Sequence, residues 1–205
     1  MFRAFANAFK IPDLRGKILF TLGIIAVYRL GSVIPIPGVD YAVLNNILDQ
    51  AEASGVAQLL NLFSGGALTQ LAVFALGIMP YITASIIMQL LAVVIPKLEE
   101  WQKEGATGTA RITQITRYVT VVLAVLQSTG LIVLIQSGQL FGNAGIDTSA
   151  LIPDDSVPKR ALMILTLTAG TAFIMWLGEL ITQRGIGNGM SIIIFAAIIA
   201  ALPGQ

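Results

Sequence analysis

The chain contains one long uncharged stretch, residues 53–96, which reads ASGVAQLLNLFSGGALTQLAVFALGIMPYITASIIMQLLAVVIP. A single membrane-spanning helix needs about 20 apolar residues, so roughly half of this stretch must have another role. Its first part, residues 55–68, is only moderately apolar because it carries Gln58, Asn61, Ser64 and a Gly-Gly pair. We therefore predict a re-entrant helix there. Such a segment is tolerated at membrane depth only beside protein or a water-filled cavity, which indicates a channel or a transporter.

The composition is that of a polytopic membrane protein. Hydrophobic residues make up 56% of the chain and charged residues 11%, and the mean hydropathy is +0.83. This leaves too little polar surface to cover a soluble domain of 205 residues. The absence of histidine and cysteine argues against zinc or haem ligation, thiol catalysis and Ser-His relays. We therefore expect that the protein binds no cofactor and is not an enzyme. Its basic residues are dispersed along the chain, which gives no sign of direct DNA binding.

Apolar runs predict an all-α fold with five transmembrane helices and a re-entrant helix at 55–70. The N-terminal segment 1–17 precedes the first span. A secretory signal is the weaker interpretation of the first run, because the run is too long for an h-region, contains Arg29 and ends in Pro35-Ile36-Pro37-Gly38. The predicted spans cover residues 18–34, 71–95, 112–135, 161–181 and 185–202.

The distribution of basic residues predicts a cytoplasmic N-terminus. With that orientation Lys159 and Arg160 are the only basic residues in the predicted outer loops, as the positive-inside rule requires. Residue 205 then lies near the extracellular face. The inner segments hold the other basic residues of the predicted loops and helix ends: Arg3, Lys10, Arg15, Lys17, Lys97, Lys103, Arg111, Arg117 and Arg184.

An odd number of spans has a consequence for architecture. A five-span unit followed by a copy of itself generates an inverted repeat, so this chain has the form of one half of a ten-helix protein. The last residues, Leu202 to Gln205, follow an apolar run without a polar tail. We therefore expect more chain after residue 205 in the natural protein.

Several residues are candidates for function without deciding it. Thr83 and Gln89 on the second span and Gln127 on the third form either interhelical hydrogen bonds or a functional polar seam. Arg29 and Glu179 are the most deeply placed charges and are interpreted as interfacial anchors.

Other local patterns have an ordinary structural interpretation. Gly185 to Gly189 is typical of a tight turn entering a helix, since no strand precedes it and no Lys-Ser/Thr follows it as in a phosphate loop. Ile78 and Ile82 share a helix face, as do Met190 and Ile194, but periodicity alone makes all four ordinary lipid-facing or core residues.

Taken together, the motifs resemble the bacterial SecY family of protein-conducting channels. The resemblance covers nearly the whole chain in order, and several unrelated motifs coincide. They are Pro35 to Gly38, Asn61 to Leu68, Gly77 to Ile87, Lys103-Glu104-Gly105, Gln114 to Tyr118, and Arg184 to Ser191.

The resemblance implies roles for several of these segments. The family has ten spans in two inverted five-span halves, clamped by SecE and opening laterally, and this chain corresponds to the N-terminal half. The re-entrant helix would correspond to the plug of the family, and its candidate plug residues are Asn61, Leu62, Phe63, Ser64, Gly65 and Gly66. Ile78, Ile82, Met190 and Ile194 become part of the apolar pore ring, in which Met190 departs from the expected isoleucine. Thr83, Gln89 and Gln127 would lie on the lateral gate.

The resemblance also implies a function and a location. The protein would conduct unfolded secretory polypeptides across the bacterial cytoplasmic membrane and release membrane segments sideways. Its implied partners are SecE, SecG, the SecA motor ATPase, the ribosome, nascent secretory and membrane-protein chains, the C-terminal half and the lipid bilayer. The main SecA and ribosome loops lie in that other half.

Three other functional classes of membrane protein stay open as interpretations of the sequence. An inverted-repeat secondary transporter for a small solute is the main alternative, and it predicts an ionisable group at the midplane. This sequence offers no convincing midplane carboxylate. A membrane enzyme is disfavoured by the missing histidine and cysteine. A purely structural subunit would also account for the apolar positions.

Overall fold

The computed structural model describes residues 12–40, 42–44, 64–68, 70–137, 151–152 and 156–201. This part of the chain is α-helical, and its only β-type pairing is an isolated antiparallel bridge between Pro35 and Ala72. The helices in chain order are α1 Pro12–Gly31, α2 Met79–Val94, α3 Pro96–Lys103, α4 Ala106–Gln136, α5 Val157–Arg184 and α6 Gly189–Ala201.

Length and apolar composition identify two helices in the described part that could span a membrane, α4 and α5. The α2–α3 pair is bent by 101° and supplies a third candidate if it is counted as one span. Helix α1 carries Asp13, Arg15, Lys17 and Arg29, and α6 is short. The all-helical membrane class is therefore supported, whereas the count of five spans stays a prediction.

The second predicted span differs most from the structure. The sequence predicts a helix from residue 71, but residues 70–78 form turns and α2 begins at Met79. Leu71 and Gly77 have positive φ angles of 42° and 54°, which a right-handed helix does not allow. Hydropathy does not detect this difference, because the turns are as apolar as the helix.

The other helices extend beyond or stop short of their apolar runs. The runs 112–135 and 161–181 lie inside the longer helices α4 and α5, since a helix continues into polar residues at its ends. The predicted span 18–34 corresponds to α1, which starts at Pro12 and ends at Gly31. The predicted span 185–202 corresponds to α6, which starts only at Gly189, after a turn.

The start and end of α2 and α3 follow from proline positions. Pro80 occupies the first turn of α2, where a missing N–H costs no helical hydrogen bond. Ile95 is extended, with φ −99° and ψ 111°, as is usual for a residue before proline, and Pro96 then begins α3. Buried Leu98 packs with Met88 and Ala92 of α2, so α3 folds back against the helix that precedes it.

Two apolar cores hold the larger helices together, and the turns at 67–68 and 70–78 contribute to both. The first core joins the α4 end, the α5 start, Ile36 and Leu44, and it includes Leu71 and Ala75. The second joins α1, α5 and α6 and includes Ala72, Phe74 and Ile78. The backbone of the turns pairs with the exit of α1, where Val73 N donates to Ile34 O at 2.8 Å and Ile36 N to Leu71 O at 3.0 Å.

Candidate functional site

The four residues predicted for the pore ring lie in one apolar cluster. Ile78 and Met190 are buried members of the second core, and Ile82 and Ile194 are partly buried against it. Ile78 occupies the N-cap position of α2, immediately before its first residue, and Met190 is in the first turn of α6. The N-terminal ends of α2 and α6 therefore bring these side chains together, although more than one hundred residues separate the pairs in the chain.

The turn between α5 and α6 places Met190 at this position. Asn188 Oδ1 accepts hydrogen bonds from Met190 N at 3.0 Å and Ser191 N at 3.3 Å, which is N-capping of α6. Gly187 has a φ of 65°, which favours glycine. The prediction of a tight turn entering a helix is confirmed.

Two glycines allow α6 to approach α5 closely. A Cβ atom on Gly189 would collide with the carbonyl oxygen of Gly178, and one on Gly178 would collide with the sulfur of Met190. Gly189 N also donates to Thr182 Oγ1 at 2.9 Å. The close approach at Gly178 and Gly189 therefore positions the Met190 side chain directly.

A cavity of about 460 Å³ lies beside the apolar cluster, and Ile82 and Met190 belong to its wall. It is lined by α2, α4, α5 and the start of α6. Most of the other lining side chains are polar and neutral: Tyr81, Ser85, Gln89, Thr113, Thr182, Gln183, Asn188 and Ser191. We call this cavity the polar groove. Its wall changes from polar to apolar at Ile82 and Met190.

An ion pair that the sequence did not predict crosses the polar groove. Arg117 of α4 donates to Glu179 of α5 through Nε at 2.7 Å and Nη2 at 2.6 Å, a bidentate arrangement. Arg117 Nη1 also donates to Gln114 Oε1 at 3.1 Å. Glu179 therefore has a charged partner on a neighbouring helix, and its interpretation as an interfacial anchor stays a prediction.

Part of the predicted plug lies among the described residues. Asn61, Leu62 and Phe63 lie outside them, as does the rest of 55–63 and residue 69. Ser64 is buried, and Gly65 and Gly66 have φ angles of 66° and 89°. Ser64 is helical, and the turns that follow it from Gly65 to Leu68 pack against α6, because a Cβ on Gly65 would lie 3.2 Å from Ala197 Cα.

Helix α1 binds these turns through two successive side chains. Tyr28 Oη donates to Ser64 O at 3.1 Å, and Arg29 Nη1 donates to Gly65 O at 3.0 Å. Tyr28 also stacks on Phe74, with ring centroids 5.8 Å apart. Arg29 thus has a polar partner within the protein, and its interpretation as an interfacial anchor stays a prediction.

The three predicted lateral-gate residues are not brought together. Thr83 Oγ1 donates to Met79 O of its own helix at 3.0 Å. Gln89 lies at the polar groove and donates weakly to Ser85 Oγ at 3.5 Å. Gln127 lines a separate cavity of about 250 Å³ between α4 and the turns near Leu68. Within this chain they do not form a continuous polar seam.

The polar groove offers hydrogen-bonding side chains and one ion pair. No group of three His, Cys, Asp or Glu side chains gathers as metal ligands among the described residues. The polar groove holds hydroxyl and amide groups, one paired carboxylate and one paired guanidinium. Such a lining solvates a polar chain and supplies no unpaired charged group for an ion.

The chain is similar in sequence to bacterial SecY proteins. A family model described as SecY matches residues 72–205. The chain is 61% identical over 204 residues to a protein translocase subunit SecY of Streptomyces griseus, covering 100% of this chain and 46% of that protein. It is 49% identical over 208 residues to the SecY of Mycobacterium bovis, again covering 46% of it. The chain thus spans about half the length of these relatives.

Solved structures agree in fold. Sec61 in the canine ribosome-channel complex from the endoplasmic reticulum matches 95% of this chain and 41% of its own, with a TM-score of 0.59 and 17% identity. A structure described as a protein conducting channel matches 95% and 40%, with a TM-score of 0.57 and 17% identity. The family model and the sequence relatives, which cover most or all of this chain, show that it belongs to the SecY family.

Proposed function

We propose that this chain forms the N-terminal half of a protein-conducting channel in the bacterial cytoplasmic membrane, with five spans and a cytoplasmic N-terminus. The complete channel conducts unfolded secretory polypeptides and releases membrane segments through a lateral gate. Names of the relatives, which are protein translocase subunits, support this function. No covalent reaction is part of it.

The observation that carries the proposal is the meeting of Ile78, Ile82, Met190 and Ile194 in one cluster beside the polar groove. A ring of apolar side chains sheds water and so excludes ions while the channel is empty. The same ring deforms around a passing chain, and a flexible methionine serves this well. The polar groove then provides the hydrated approach to the seal.

The segment 55–70 is the proposed plug, and α2 and α4 carry the proposed lateral-gate residues Thr83, Gln89 and Gln127. The turns at 64–68 support the first assignment, because α1 and α6 hold them next to the apolar cluster. The separate locations of the three polar residues mean that a gate needs further residues from the other half of the channel.

The proposed partners follow from the family. They are the C-terminal half of the channel, SecE, SecG, the SecA motor, the ribosome and nascent chains. One structural neighbour is Sec61 in a ribosome-channel complex. Within this chain, α3 and the start of α4 are candidates for secondary cytoplasmic contacts, because they expose both charge signs: Lys97, Glu99, Lys103, Glu104 and Arg111.

The alternative of a small-solute transporter receives no specific support. It requires an ionisable group free to bind the solute or the coupling ion. In the polar groove the two charged side chains are bound to each other at 2.6 Å. The arrangement therefore favours a conduit over a binding site for an ion.

The seal can be tested by ion leak. The completed channel, with both halves, is placed in vesicles, and the leak of the resting channel is measured for Ile82→Asn and for Leu90→Asn. Leu90 lies on the same helix but is 64% exposed and outside the groove wall. We expect a large leak for Ile82→Asn and none for Leu90→Asn, because only the first wets the seal. Equal leaks from well-incorporated protein would contradict the proposal.

A further inference from the structure

The polar groove has a distinctive charge composition. Of the side chains that line it, only Arg117 and Glu179 are charged, and the others are neutral polar or apolar. The exposed basic and acidic residues of α3 lie outside its wall. The groove therefore contains one positive and one negative charge.

These two charges largely cancel at the position of a passing chain. The guanidinium and the carboxylate share two hydrogen bonds of 2.7 Å and 2.6 Å, so the pair acts as a short dipole and not as two separate charges. The side chains retain 37% and 16% of their exposure, so both stand at the groove surface. Neutralising either one alone would leave an unpaired charge facing the groove.

We propose that the Arg117–Glu179 pair keeps the polar groove electrically neutral, so that acidic and basic segments of a polypeptide pass it with similar ease. The two residues then determine the breadth of substrate charge that the channel accepts. This inference rests on the proposed function. It differs from a purely structural role of the pair in joining α4 to α5, because loss of a structural link slows every substrate alike.

The test measures transit of three matched precursors through the completed channel in vesicles at low salt. The precursors differ in one mature segment, which is rich in Glu, rich in Lys or neutral. Glu179→Gln leaves an unpaired Arg117, so it should hold back Glu-rich segments relative to the neutral precursor. Arg117→Gln should hold back Lys-rich segments. A unit charge about 4 Å away in water changes a local equilibrium about fivefold, and 1 M salt should remove most of the change.

Two control variants separate charge from architecture. The double variant Arg117→Gln with Glu179→Gln restores neutrality and should return the Glu-rich to Lys-rich rate ratio to the wild-type value. Lys17→Gln removes an exposed charge of α1 outside the groove and should leave the ratio unchanged. A ratio that is equal in all variants, or that shifts the same way in both single variants, overturns the inference.

A second route adds charge after folding and so avoids variants that fail to fold. The chain has no native cysteine, and Ser191 is an exposed residue of the groove wall. Ser191→Cys, modified with a sulfonate or a trimethylammonium reagent, should shift the rate ratio in opposite directions. Gln102→Cys on α3, modified in the same way, should not. If the unmodified channel moves no precursor, the proposed function itself fails; if it moves precursors without these opposite shifts, only this inference fails.

Discussion

Arg29 and Gly65 are 36 residues apart in the chain, yet Arg29 Nη1 donates a hydrogen bond to the carbonyl oxygen of Gly65 at 3.0 Å. The preceding side chain, Tyr28, does the same for Ser64 O at 3.1 Å. Helix α1 therefore binds two successive carbonyl groups of a turn whose glycine has a φ of 66°. Within this turn Ser64 Oγ accepts from Leu68 N at 3.1 Å, which links it to the backbone that follows.

Removing the arginine contact should loosen this turn without unfolding the helices. Arg29→Gln loses a charge-assisted hydrogen bond that is partly exposed, so we expect a local loss of about 1 kcal/mol. Amide exchange at Ala67, Leu68 and Ala72 should then become about fivefold faster, while amides within α5 keep their rates. Arg15→Gln, near the start of α1, is the matched control. Unchanged exchange in residues 64–72 of Arg29→Gln would show that the contact does not hold the turn.

Alanine at two helical glycines should have opposite effects on stability. In Gly189→Ala the new methyl group meets the backbone of Gly178, so we expect a loss of about 1–3 kcal/mol from overpacking. In Gly23→Ala the methyl group meets nothing within 4 Å, so lower chain entropy should stabilise the protein by roughly 0.5–1 kcal/mol. The thermal unfolding midpoint of the solubilised complete channel measures both. Shifts of the same sign would disagree with the close α5–α6 approach.

The exposed pair on α3 gives a prediction for acidic pH. Lys103 Nζ donates to Glu99 Oε1 at 2.6 Å, and this hydrogen bond and the ammonium charge hold the pKa of Glu99 below its ordinary value of 4.5. Because the folded-state pKa is depressed, the pair stabilises the fold above pH 4.5, and the effect is lost as pH falls through the folded value. The effect is small because both groups are exposed.

Side-chain carboxyl NMR of Glu99 measures this shift directly. Lys103→Gln should move the pKa of Glu99 up toward the ordinary value, and high salt should reduce the difference between the two proteins. Lys97→Gln on the same helix should leave it in place, since Lys97 lies over the Trp101 ring, 6.0 Å from its centroid. An identical titration of Glu99 in wild type and Lys103→Gln would mean that the pair does not form in solution.

Hydropathy predicted the class and the two longest helices, because long apolar runs have few other solutions in a membrane protein. It failed at residues 71–78, where the positive φ angles of Leu71 and Gly77 prevent a helix before Met79 without any change in polarity. The tight turn before Gly189 was predictable from its glycines and from Asn188, which are local signals.

Long-range relationships were beyond reach of the sequence pattern. Arg117 and Glu179 are separated by 62 residues, so no helical spacing connects them, and their pairing depends on how α4 packs on α5. The grouping of Ile78 with Met190 likewise depends on close contact at Gly178 and Gly189. Periodicity alone left those apolar residues indistinguishable from any core, and only the family resemblance pointed to them as a site.

The most direct test of the central proposal places a cysteine at position 82 in the completed channel, which is otherwise free of cysteine in this half. A secretory precursor with one cysteine is arrested in transit, and disulfide crosslinking to the channel is measured. Val133→Cys, on α4 and 58% exposed away from the groove wall, is the comparison. We predict a strong precursor adduct at position 82 and little adduct at position 133. With transport intact, no adduct at 82, or an adduct at 82 no stronger than that at 133, would contradict a polypeptide path past Ile82.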